Sequence, residues 1–146
     1  MKISTKGRYA LRMMLDIAEN QGESYISLNE VAARQNLSKK YLEQIVPAMN
    51  RDGMLKRSRG YQGGYKLAKD ASEYTVGDIL RAVEGSLAPV PCLEDSPQGC
   101  EMRKDCLTLP IWQGLEKVID EYLDGITLQD VLNKNKKKNR DNYVLL

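Results

Sequence analysis

Three cysteines stand at positions 92, 100 and 106, and the rest of the 146-residue chain has none. An odd number of thiols within fifteen residues is poor arithmetic for a disulfide scaffold. In a reducing compartment such a cluster binds a metal or senses redox change. Thiolates are soft ligands that suit iron–sulfur clusters and zinc, although a structural zinc takes four closed ligands. Unligated, reactive thiols are the third alternative. The chain has no histidine, which removes the commonest nitrogen ligand and the commonest general base. With no Gly-rich phosphate loop either, nothing in the residues argues for an enzyme.

A second set of residues points to a different chemistry. Lys39 and Lys40 precede Tyr41 and Leu42, and Glu43 and Gln44 separate these from Ile45, so on a helix with the apolar residues inward the four polar residues point out. Glutamate accepts from cytosine N4, and glutamine pairs with adenine. Arg57 and Arg59 follow within a Gly-rich segment and suit phosphates or a minor groove. An ordinary exposed polar face is the alternative. Net charge is only +2, but its distribution is uneven. Lys2, Lys6, Arg8, Arg12, Lys56 and Lys66 join those cations in the first half, while Glu94, Asp95, Glu101, Asp105, Glu116, Asp120, Glu121 and Asp124 gather later. A basic front and an acidic back suit two regions with two tasks, or a merely solvated surface.

These residues need elements to position them. Tyr9, Ala10, Met13, Met14, Ile17 and Ala18 recur at helical spacing and predict a first helix over 6–19. Ser27 with Glu30 reads as a capping box opening a short helix; Asn36 and Leu37 make a turn. Ser38 caps a second helix, in which Pro47 demands a bend or an early stop. Two short helices joined by a tight turn form a helix-turn-helix, whose second helix is the candidate for a major groove. Residues 54–58 and 65–68 are strand-like around RGYQGG, a hairpin whose glycines permit the tip; directly after a helix-turn-helix it is a wing. Thr75 caps a further helix ended by Gly85. Residues 86–105 are a loop with little packing material of their own.

From Leu107 to Leu123 the pattern is helical again, with Ile111, Leu115, Val118, Ile119 and Tyr122 on one face. The first half is too small to cover it, and a partner helix is the natural cover, hence a homodimer. Tyr9, Trp112 and the paired methionines sit on apolar stripes and read as core. A short closing helix starts at Thr127, and the basic tail over 135–146 reads as solvated or disordered. The expected architecture is mainly α with a small β wing: a winged helix-turn-helix over 1–85, a cysteine loop over 86–106, a dimerisation helix and closing helix over 107–134, and the tail. A composition of 42% hydrophobic and 29% charged residues, with no apolar run of the ~20 residues that cross a bilayer and no signal peptide, predicts a cytoplasmic protein without a membrane partner.

The segments MKISTKGRYALRMMLDIA, LSKKYLEQI, SRGYQGGYKLAKD, TVGDILRAVEG and TLQDVL, in that order over residues 1–134, resemble the IscR, NsrR and CymR family of winged-helix transcription regulators. The resemblance implies a dimer crossed by a long C-terminal helix and reading a palindromic operator in double-stranded DNA. It makes Glu43 and Gln44 base-reading positions and sends Arg59 to a minor groove; Lys40 stands where the IscR type has serine. It also implies that Cys92, Cys100 and Cys106 hold an iron–sulfur cluster, 2Fe–2S ahead of 4Fe–4S. Two departures stand out. The cysteine gaps are seven and five residues, where the IscR type has five and five. The IscR-type histidine is Leu109 here, and the acidic NsrR-type position is Arg8. The fourth ligand is therefore open among Glu94, Asp95, Glu101, Asp105, a small thiol or water. The CymR type lacks the cysteine triad. Its cluster-free mode, repression of sulfur or cysteine metabolism with an enzyme partner, is the alternative function.

Overall fold

Helix α1 (Thr5–Asn20) is the centre of the packing. Ser4 caps it by accepting from the Gly7 amide, and its Ala10, Met13, Met14 and Ile17 are fully buried. The helix packs against the three other helices of the N-terminal half, the second strand of the wing and the last helix of the chain. Full burial of a side chain the size of Met or Ile stabilises by about 1.5–3 kcal/mol, so this one stripe carries much of the hydrophobic stabilisation. The protein is described here by a computed structural model covering residues 2–60, 63–94 and 103–144, with side chains to Lys138.

Helix α2 (Leu28–Gln35) opens on the expected capping box. The Glu30 amide donates to Ser27 Oγ at 3.2 Å, and the Ser27 amide donates to Glu30 Oε2 at 2.8 Å. Asn36 ends it in the left-handed region with φ 53°, a conformation its short polar side chain tolerates. Helix α3 (Lys39–Arg51) neither stops before Pro47 nor loses its inner face: Leu42, Ile45, Val46, Ala48 and Met49 are buried. Pro47 is exposed, so the ring meets solvent. The cost is one backbone bond, from the missing N–H to the Glu43 carbonyl.

Strands β1 (Leu55–Arg57) and β2 (Tyr65–Leu67) pair antiparallel, with Leu55 opposite Leu67 and Arg57 opposite Tyr65. Ile26 adds a bridge on the free edge of β2 through bonds of 2.7 and 2.9 Å to Tyr65. Gly64 makes this possible, because a Cβ there would sit 2.8 Å from the Ile26 carbonyl oxygen. Helix α4 (Val76–Glu84) is capped by Thr75 and Asp78 and ended by Gly85, as the sequence indicates.

Two C-terminal helices complete the chain. Helix α5 (Leu109–Asp124) has no buried residue. Helix α6 (Leu128–Val144) corrects the reading of a short closing helix and a disordered tail. Leu128 and Leu132 dock it onto the core. With that nucleus formed, a Lys-rich run without Gly or Pro propagates cheaply. Its described side chains are solvated nonetheless, residues 133–138 all being exposed. The fold is thus mainly helical with a small two-stranded wing. Among the described residues no helix is long and apolar enough to cross a membrane.

Candidate nucleic-acid interface and cysteine loop

The inner face of α3 fixes what its outer face presents. With Leu42, Ile45 and Met49 at zero exposure, Lys39, Lys40, Glu43 and Gln44 all lie exposed. Ser38 starts the helix by accepting from the Tyr41 amide at 3.4 Å. Lys39 and Glu43 form an exposed ion pair at 4.0 Å, too solvated to hold Glu43 firmly. Arg57 and Arg59 are exposed on the hairpin. An open cleft of about 870 Å³ separates the starts of α2 and α3 from the wing, and its walls include Tyr25, Asn29, Lys39, Glu43 and Arg57. The fold therefore brings Lys39, Glu43 and Arg57 around one cleft; Lys40, Gln44 and Arg59 are exposed outside its lining.

The residues that hold this surface in place were not evident from the sequence. Asp16, on the inner side of α1, is 3% exposed. It accepts from Arg34 Nη2 at 2.7 Å, from Arg34 Nε at 3.1 Å and from Gln35 Nε2 at 3.0 Å. The bond to Asp16 raises the Arg34 pKa. Arg12 donates to the Gln35 side chain and to its carbonyl and lies over the Tyr9 ring, which meets Tyr41 of α3 edge-on at 5.3 Å. The end of α2, the turn and the start of α3 are thus pinned to α1 by one buried carboxylate and one aromatic pair. An acid three residues after Met13 and one before Ile17 lies on the buried stripe, but its spacing does not name a partner.

Of the three cysteines, Cys92 lies in a 3-10 turn (Pro91–Leu93) and Cys106 just before α5; both are free and half-buried. Cys100 lies outside the described residues, as do Asp95 and Glu101. Cys106 Sγ is 3.3 Å from Thr108 Oγ1. That hydroxyl, with the backbone amides of Thr108 and Leu109, lowers the Cys106 pKa and favours its thiolate. Glu94 and Asp105 are exposed. Arg8 donates to Thr5 at 3.1 Å, and Leu109 is the first residue of α5. Among the described residues no three acidic, cysteine or histidine side chains converge as a metal site.

Helix α5 shows solvent an apolar stripe: Ile111 is 60% exposed, Leu115 41%, Val118 61% and Tyr122 67%. Its link to the N-terminal half is Arg81 of α4. The guanidinium donates to Asp124 at 2.6 and 3.1 Å and to Asp120 at 2.8 Å, bonds that raise its pKa further, Asp124 most. The sequence did not single out Arg81. Trp112, read as core, is half-buried.

Comparison with known proteins bears out the fold. The Rrf2 family, described as iron-dependent transcriptional regulators, matches residues 3–134. The HTH-type transcriptional regulator CymR of Bacillus subtilis is 40% identical over 131 residues, spanning 90% of this chain and 89% of that protein. The regulator IscR of Serratia proteamaculans is 38% identical over 133 residues, 91% of this chain and 80% of that one. Among solved structures, CymR, the global cysteine regulator of B. subtilis, superposes with a TM-score of 0.70 over 92% of this chain and 98% of its own, at 40% identity. T. potens IscR gives 0.74 over 94% and 90%, at 38% identity.

Proposed function

The chain belongs to the Rrf2 family of transcriptional regulators, and from that premise we propose a homodimeric repressor that reads a palindromic duplex operator and takes an iron–sulfur cluster on Cys92, Cys100 and Cys106. The observation that carries the DNA-reading part is the face of α3. Its buried side is complete, so Lys39, Lys40, Glu43 and Gln44 are held outward with Arg57 across the cleft. Glu43 and Gln44 read base edges in the major groove. Lys39, Lys40, Arg57 and Arg59 neutralise phosphates, with Arg59 also reaching a minor groove.

The apolar stripe of α5 supports the dimer. Two copies packed through it put two α3 helices on successive turns of one duplex, about 34–36 Å apart. The cysteine loop supports the cluster through the chemistry of its donors: Cys92 and Cys106 are free and half-buried, and Cys106 favours the thiolate that soft metals bind. When bound, such a cluster supplies reversible one-electron chemistry and ties the loop together. The chain's own residues then order the loop ahead of α5, and the fourth ligand is not a histidine.

Anaerobic purification with iron and sulfide analysis tests the cluster, and operator selection tests the reading head. Iron, sulfide and visible absorbance are expected, together with changed operator choice when all three cysteines become alanine. Protein without iron, whose triple variant binds the same duplexes equally well, would replace this reading with the cluster-free one: a CymR-like repressor working with an enzyme partner. One observation favours that second reading, the 40% identity to CymR in a chain with no histidine.

A further inference from the structure

Arg81, Asp120 and Asp124 join the two working parts of the chain at a point with unusual geometry. Helix α4 belongs to the core, with Gly77, Ile79, Leu80 and Ala82 buried. Helix α5 has no buried residue and, of the other elements, packs chiefly on α4. At 100° per residue, Ile111, Leu115, Val118 and Tyr122 fall on one side of α5, while Asp120 and Asp124 fall on the opposite side. The same helix therefore offers its apolar face away from the reading head and is gripped from behind by one guanidinium.

The grip is shaped as well as charged. Arg81 engages Asp124 with both terminal nitrogens, at 2.6 and 3.1 Å, and Asp120 with one, at 2.8 Å. A planar guanidinium bonded to two carboxylates one turn apart resists roll of α5 about its axis, which a single lysine contact would not. Gly77, one turn before Arg81 on α4, leaves the space for Asp124: a Cβ at that position would overlap the Asp124 carboxylate and come within 2.8 Å of Arg81 Nη1.

We propose that Arg81, Asp120, Asp124 and Gly77 form a positioning clasp that sets the roll of the dimerisation helix against the reading head, and thereby selects the spacing of the two half-sites. The inference rests on the dimeric DNA-reading function. In a two-fold dimer any change in the roll of α5 is applied twice, once in each copy, so a small rotation becomes a change in the separation and twist of the two α3 helices. The cysteine loop adjoins the clasp: a cleft of about 440 Å³ is lined by Arg81, Gly85, Leu93, Glu94, Glu116 and Asp120. Leu93 follows Cys92 directly, so the described part of the loop borders the clasp.

The test uses full-length dimeric protein and a duplex library in which two selected half-sites are moved apart or together one base pair at a time. The wild type should lose about tenfold in affinity per base pair of misplacement, within the cost of a mismatched contact. The variants Arg81→Gln and Asp120→Asn/Asp124→Asn should keep the half-site sequence and dimerise, yet lose under about threefold per base pair. Arg81→Lys should fall between. Uniformly weaker binding with an unchanged spacing penalty would mean a merely structural role and overturn the proposal. Gly77→Ala should match the aspartate pair; if it does not fold, Asp120→Asn/Asp124→Asn carries the test. Wild-type protein that selects no duplex at all would remove the DNA-reading function, and the clasp's role with it.

Discussion

Replacing Asp16 by alanine tests whether a single buried carboxylate holds the reading head together. Asp16 is 3% exposed and accepts from Arg34 and Gln35 at 2.7–3.2 Å. Removing one partner of a fully buried pair costs about 3–5 kcal/mol. Arg34, however, is 37% exposed along its side chain and regains water when Asp16 is lost. A cost of about 2–3 kcal/mol follows, nearer the value of one or two hydrogen bonds to a charged group. In a chain of this size each kcal/mol moves Tm by roughly 2–4 °C, so Asp16→Ala should melt about 5–10 °C below the wild type. Calorimetry at one fixed protein concentration measures this, because a dimer's Tm depends on concentration. Arg34→Ala should cost less, and the double variant should cost little more than Asp16→Ala alone, because the two residues share one interaction. A drop under about 2 °C, or additive single-variant costs, would refute the reasoning.

Three further outcomes follow from other sites. Val118→Asp places a carboxylate from each copy in the face proposed to join the dimer, where an unpaired charge costs several kcal/mol; sedimentation equilibrium should find monomer at micromolar concentration, and an unchanged dimer would move the interface elsewhere. Gly64→Ala should destabilise the wing by about 1–3 kcal/mol, the cost of overpacking, and weaken DNA binding; unchanged melting and binding would show that Ile26 yields freely. Replacing Lys137, exposed on α6, by alanine should move Tm by less than about 2 °C, since an exposed position contributes within about 0.5 kcal/mol and each kcal/mol is worth roughly 2–4 °C; a larger drop would show that this part of α6 is docked.

What the sequence discloses and what it hides divide by distance along the chain. Ser27 with Glu30 and Thr75 with Asp78 satisfy each other, and Ser38 accepts from the Tyr41 amide, all within three residues, and each marks a helix start that the structure reproduces. The apolar stripes of α1, α3 and α4 are equally local. Asp16 was hidden because its partners lie 18 and 19 residues away, and a lone acid among methionines has no local meaning. Arg81 was hidden for the same reason, its carboxylates lying 39 and 43 residues on. The helix over the Lys-rich tail was misread from its composition, whereas continuity with docked Leu128 and Leu132 decides it. Cysteine spacing identifies candidate ligands, but ligation needs their sulfurs to converge, which spacing does not determine.

The two arginine–carboxylate joints differ in a way that suits a regulator. Arg34 meets a carboxylate that is 2% exposed, in low dielectric, where the pair is strong only as long as both charges stay. That joint fixes the end of α2, and with it the turn into α3, to α1, and has every reason to be rigid, since base readout fails when a side chain misses its hydrogen bond. Arg81 meets carboxylates that are 44% exposed, and is itself 35% exposed. Water and salt screen this joint, and its two-carboxylate geometry gives it direction more than strength. Glu94 of the neighbouring loop and Glu116 of α5 line the same cleft as Arg81 and Asp120, so a carboxylate brought closer there competes for the same guanidinium. A signal that has only a few kcal/mol to spend must act on the joint it can outweigh. The stiff contact therefore lies within the reading head, and the soft one between that head and the helix proposed to join the dimer.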